Sequence, residues 1–184
     1  AKQETPKTVE QVVAQPMRRS AWGRYALEQA KQIMGAEWER GLVTFARNTQ
    51  APAEQRIAAL EALQAHGPAP SLSLLKKLVK DENADVRAFA VYLLGLHPLK
   101  SVKKPLTAAL DDTDALVQRR TIESLVRAGW DTNVKVNAND AVVAKLIALL
   151  NSEDLYVRGS ARVALERTTR EAWAEQVLAL DSAK

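Results

Sequence analysis

The chain has 184 residues, no cysteine, and 26 basic against 22 acidic side chains, for a net charge of +4 at neutral pH. Absence of cysteine excludes a disulfide framework, a thiol nucleophile, a covalently attached c-type haem and any Cys-based zinc or iron–sulfur site. The charge is mild, no dense Lys/Arg run marks a nucleic-acid arm, and no apolar stretch approaches the roughly 20 residues needed to span a bilayer.

Residues 1–7 are polar with one proline and are expected to form a disordered leader or linker ahead of a single repeat domain over 8–184. A start at Ala1 instead of Met reads as a processed product or a piece of something longer. Thr8 sits three residues before Gln11, a capping-box spacing, and Val9, Val12, Val13 and Met17 follow helical periodicity. A second helix is predicted from Ala21 to Met34, ending at Gly35. In it Trp22, Ala26 and Ala30 take the core positions only with a shift of a residue or two.

The next pair opens near Glu37, with Trp38, Leu42, Val43 and Phe45 on one face, and breaks at Asn48 to Pro52. Its partner helix, Ala53 to Ala65, stops at His66-Gly67-Pro68. Ser71 caps a helix carrying Leu72, Leu75, Leu78 and Val79, and a helix from Asp85 to Leu94 follows the turn at Lys80 to Asn83. A third unit runs from Ser101 through Leu106 and Leu110, turns at Asp111 to Thr113, and continues through Val117 to about Ala128. Residues 130–140 form an inserted loop, after which Asp140 caps Val142 to Leu150. The helix Tyr156 to Arg167 closes that repeat, and a final helix from Thr169 carries Trp173, Val177 and Leu180.

Four of these segments share one register. Gln55-Arg56, Val86-Arg87, Val117-Gln118 and Val157-Arg158 recur at intervals of 31, 31 and 40 residues. Four residues in stands Ala59, Ala90, Thr121 or Ala161, and eight in stands Leu63, Leu94, Leu125 or Leu165. Such self-similarity marks a stack of helical hairpins, each with an apolar face too wide to bury alone. The small residue lets helices approach, and the leucine fills the groove so created. The turns carry Asp81 and Asp112, with Ser152 at the equivalent place, so a structural ladder of Asp81, Arg87, Asp112 and Arg158 is expected to tie turn to helix. The expected fold is all-α, a right-handed α-solenoid of about five helical hairpins.

Laid out this way, Asp85-Val86-Arg87-Ala88-Phe89-Ala90-Val91-Tyr92-Leu93-Leu94-Gly95 and Tyr156-Val157-Arg158-Gly159-Ser160-Ala161-Arg162-Val163-Ala164-Leu165 resemble HEAT repeats. The resemblance covers Glu37 to Arg167 and implies a solenoid whose second helices line a concave surface. A narrower similarity, in Asp154 to Arg158, Ala161-Arg162, Leu165 to Arg167 and Trp173, is to the HEAT region of large secreted planctomycete-type haem-binding proteins with a sugar-dehydrogenase-like propeller. This chain has neither Cys-x-x-Cys-His nor a propeller, so the similarity implies the helical module alone, in a periplasmic or secreted setting ahead of a cytoplasmic one.

Enzymatic relatives set specific demands. The HEAT-like deoxyhypusine hydroxylases use His-Glu pairs, whereas His66 and His97 are followed by glycine and proline. HEAT-like bilin lyases share the repeat, but no motif of theirs can be placed. The HEAT-like alkylpurine DNA glycosylases need aromatics and a carboxylate on a basic face. Trp22, Trp38, Trp130 and Trp173 with Asp131 meet that composition, yet tryptophans at helix faces and ends read first as packing anchors. The oxygen donors Asp131, Asn133, Asn137, Asn139 and Asp140 lack the central glycine and terminal glutamate of an EF-hand loop.

The expectation is therefore a non-catalytic scaffold, without cofactor or metal, acting as a monomer on a protein partner or on other domains of its own polypeptide. Positions three and six beyond the repeat start give Phe89, Tyr92, Arg120 and Glu123 as candidate partner contacts. The alternative is a nucleic-acid binder related to the glycosylases, using Arg119, Arg120, Arg158 and Arg162. The basic pairs Arg18-Arg19, Lys76-Lys77, Lys103-Lys104 and Arg119-Arg120 read as solvated faces.

Overall fold

A computed structural model describes residues 4–130, 136 and 138–180. Among them the secondary structure is helical, without strands: α1 (Val9–Val13), α2 (Ala21–Met34), α3 (Ala36–Arg47), α4 (Ala53–His66), α5 (Leu72–Leu78), α6 (Ala84–Leu94), α7 (Leu99–Ala109), α8 (Ala115–Arg127), α9 (Ala141–Leu149), α10 (Leu155–Glu166) and α11 (Ala174–Leu180). The chain divides into two compact units, Ala1–Leu78 and Val79–Lys184.

In the first unit α1, α2 and α3 all pack on α4. That position explains the composition of α4, which buries Ala58, Ala59, Leu60, Ala62 and Leu63 around much of its circumference. Its last carbonyls are satisfied from neighbouring helices. Trp38 Nε1 donates to Gly67 O at 3.0 Å and Lys31 Nζ donates to His66 O. Gly67 itself has φ +70°, a conformation glycine adopts without steric cost.

Three expectations for this unit need correction. Helix α1 ends at Val13, and Met17 is 75% exposed with φ +52°. Pro16 supplies no N–H and disfavours helical geometry at Gln15, so the apolar spacing does not continue as helix. Trp22 is 44% exposed, and the buried stripe of α2 is Gly23, Ala26, Leu27 and Ala30. On α3 the buried residues are Trp38, Leu42 and Ala46, with Val43 and Phe45 only half-buried at the edges. At the start, Thr8 caps α1 by accepting from Gln11 N, Lys7 N donates to Gln11 Oε1 at 2.7 Å, and Pro6 is buried.

The second unit is built as the repeat register requires. Helix α6 packs on α8 and α8 on α10, while α7 packs on α8 and α9 on α10. Val86, Val117 and Val157, then Ala90, Thr121 and Ala161, then Leu94, Leu125 and Leu165 are all at most 2% exposed. Thr121 keeps its hydroxyl satisfied by donating to Val117 O at 2.7 Å. Where α6 ends, a Cβ on Gly95 would lie 2.7 Å from Ser124 Cβ and 2.8 Å from its Cα, so the two helices approach more closely than any larger residue permits. The C-terminal helix is also corrected: Arg170–Ala172 form a 3-10 turn, Trp173 breaks the helical path with φ −143°, and α11 begins only at Ala174.

Candidate functional site

Each repeat of the second unit opens with the same local chemistry. Asn83, Asp114 and Asp154 cap α6, α8 and α10 by accepting from backbone N–H groups of the first turn. Four residues later a donor reaches back over the turn. Arg87 Nη1 donates to Asp81 O and Glu82 O at 2.9 and 3.0 Å, Gln118 Nε2 to Asp112 O at 2.8 Å, and Arg158 Nη1 to Ser152 O and Glu153 O at 2.6 and 3.0 Å. In the first unit Arg56 reaches farther back, its Nε donating to Ala46 O in α3 at 3.0 Å.

Arg87 also clasps a carboxylate of the following repeat. Its Nε and Nη2 lie 2.7 and 2.9 Å from Asp112 Oδ2 and Oδ1. Burial pushes the Asp112 carboxyl upward, but the Arg87 hydrogen bond, the Asp114 N–H and the guanidinium charge together outweigh it and hold the carboxyl below the usual range. The Asp112 hydrogen bond raises the Arg87 guanidinium against a smaller opposing effect of burial. These groups shape turns and are consumed in doing so.

The candidate contacts lie on the outward side of α6 and α8. Phe89 and Tyr92 are half-buried and stacked, their ring centroids 5.7 Å apart and inclined by 29°. Arg120 and Glu123 are also half-buried, with Arg120 Nη1 3.0 Å from Glu123 Oε2. Two residues outside the sequence-based candidates, Arg127 and Tyr156, join them with Arg119 into one surface. Arg127 lays its guanidinium over Tyr92, 4.9 Å from the ring centroid, and Arg119 stands 5.6 Å from the ring of Tyr156, which is 67% exposed on α10. Leu116, Leu155 and Val163 add exposed apolar area on α8 and α10. Arg127 lies one helical turn beyond Glu123, and Tyr156 immediately precedes the repeat valine. Extending the register one turn in each direction would have found both.

Other polar clusters are accounted for internally. His66, beside the edge of Trp38, holds Glu28 Oε2 at 3.0 Å through Nδ1. Among the described residues no group of three His, Asp or Glu side chains is gathered to hold a metal ion, and no helix is long and apolar enough to cross a membrane. Of the oxygen donors in the inserted loop, Asp131, Asn133 and Asn137 lie outside the described residues. Asp140 caps α9 and pairs with Lys103. Trp38 and Trp130 are fully buried anchors, whereas Trp173 is only half-buried.

Matches to the family described as HEAT repeats cover residues 39–126 and 71–166, more than half of the chain. The chain belongs to the HEAT-repeat family. No curated protein matches the sequence. HEAT repeats commonly serve as protein-interaction scaffolds, and the fold here offers surfaces of packed helices.

Proposed function

We propose that this chain is a non-catalytic scaffold whose outward α6, α8 and α10 surface binds a protein partner or another domain of its own polypeptide. The observation that carries the proposal is the run of half-exposed aromatic rings braced by arginines: Phe89 on Tyr92, Arg127 over Tyr92, Arg119 beside Tyr156. Tyr and Arg are enriched among the residues that dominate interface energetics, and here their side chains are already ordered, which lowers the entropy lost on binding. The likeness of the Asp154 to Arg167 segment and Trp173 to secreted multidomain proteins supports a setting outside the cytoplasm, as one module of a larger polypeptide.

The test is site-specific photocrosslinking from position 156, in the organism or extract from which the chain comes. A discrete adduct that disappears when Phe89→Ala and Arg120→Glu are combined, in a variant with unchanged thermal midpoint, supports the surface. Equal crosslinking from a control position at Lys77, or a large loss of stability in the double variant, counts against it. The glycosylase-related reading draws less support, because Arg119, Arg120, Arg158 and Arg162 all have partners within the chain.

A further inference from the structure

The pair Lys103-Lys104 reads in sequence as a solvated face, but the structure places it in a basic groove. Helix α7 presents Lys100, Lys103 and Lys104 at spacings of three and four residues, which puts all three on one side. Helix α9 adds Lys145, and together with Thr107 and Asp111 these residues line an open groove of about 590 Å³. Like charges at this spacing weaken a helix instead of supporting it, so the cluster is a local cost to α7.

Two of the four lysines show what the groove accepts. Lys103 Nζ lies 2.8 Å from Asp140 Oδ2, and Lys145 pairs with Asp111. Lys100 and Lys104 are exposed and have no side-chain partner among the described residues. On a helix, side chains three or four apart stand roughly 5–6 Å from each other at Cβ. Along an extended strand, side chains on one face recur about every 6.6–6.8 Å. Carboxylates at alternate positions of an extended peptide therefore match the Lys100 and Lys104 spacing.

We infer that the α7–α9 groove binds an acidic, extended segment of a partner protein, with alternate Asp or Glu side chains on Lys100 and Lys104. A nucleic acid is a poorer fit. The groove lining has no arginine to fork onto phosphate and no aromatic ring to stack a base, and two of its lysines are already neutralised. This inference concerns helices other than those of the proposed partner surface and stands independently of it.

Fluorescence anisotropy of the full chain tests it, with a short labelled peptide of alternating Glu and Ala, its Gln-for-Glu counterpart, and a labelled single-stranded DNA. The acidic peptide is expected to bind at low salt, the amide version not to, and Lys100→Glu with Lys104→Glu to weaken binding about tenfold or more while circular dichroism stays native. Lys100→Gln with Lys104→Gln serves if the charge reversals disturb folding, and the same weakening is expected. Absence of peptide binding at low salt, binding indifferent to either pair of substitutions, or tighter binding of the DNA than of the peptide would overturn the inference.

Discussion

Arginine at the second position of the repeat serves as a multi-donor clasp on the turn that precedes its helix. The guanidinium carries five N–H donors in a rigid fork, enough to satisfy two carbonyls and still engage a carboxylate, as Arg87 does with Asp81 O, Glu82 O and Asp112. Gln118 keeps one of these contacts and no charge. Asp112→Asn removes the ionic partner from a pair whose side chains are only 15% and 12% exposed, and is expected to cost about 1–3 kcal/mol in denaturant unfolding at neutral pH. The folded-state pKa of Asp112 is lowered relative to the unfolded chain, so the stability it contributes is present above the unfolded value of 3.8 and lost as pH falls through the folded one. The gap between wild type and variant should accordingly close in acid; a gap that persists unchanged to the lowest pH at which the protein folds would assign the loss to packing. Leu125, 1% exposed, gives the apolar counterpart. Leu125→Ala is expected to cost about 2–5 kcal/mol, since neighbours on α6 and α10 restrict collapse around the void. An unaltered denaturation midpoint would contradict its place in the core.

At the scale of the helix, two glycines separate packing from propensity. Gly95 ends α6 against Ser124, and Gly95→Ala is expected to destabilise by about 1–3 kcal/mol because the methyl group meets Ser124 Cα and Cβ, which no rotamer change can move away. Gly159 lies inside α10 with nothing within 4 Å of an added Cβ, so Gly159→Ala is expected to stabilise by about 0.5–1 kcal/mol through helix propensity. Thermal unfolding of both variants checks the pair, and a like sign for the two would refute the packing geometry. The valine, small residue and leucine of the repeat were legible in the sequence because burial on both sides of a stacked helix leaves little choice of residue. Local backbone chemistry was less legible. Apolar spacing carried α1 on to Met17, but Pro16 ends it, and Trp173 looked like a helical core residue although its own φ breaks the helix. The outward surface was read in part. Phe89, Tyr92, Arg120 and Glu123 followed from the register, while Arg127 and Tyr156 lie one turn outside those register positions, where contact with the adjacent helix brings Arg127 over Tyr92 and Tyr156 beside Arg119.

For the chain as a whole, membership of the HEAT-repeat family accounts for the scaffold, and the disposition of charge decides between classes of partner. A net charge of +4 would favour nucleic acid only if the basic groups formed a continuous unpaired track. They do not on α8 and α10. Arg120 pairs with Glu123 at 3.0 Å, Arg119 stands between Glu123 and Tyr156, Arg158 is held by its own turn, and Arg162 lies 3.8 Å from Glu166. Recruiting these groups to phosphate would mean giving up contacts inside the protein, which offsets part of the counterion-release gain that drives such binding. Labelled duplex and single-stranded DNA are therefore expected to bind weakly at low salt and to be released near physiological ionic strength, as anisotropy across a salt series would show. Micromolar or tighter binding that survives physiological salt would mean that the arginines exchange their partners for phosphate. In that case a glycosylase assay would become the next experiment, ahead of any search for a protein partner.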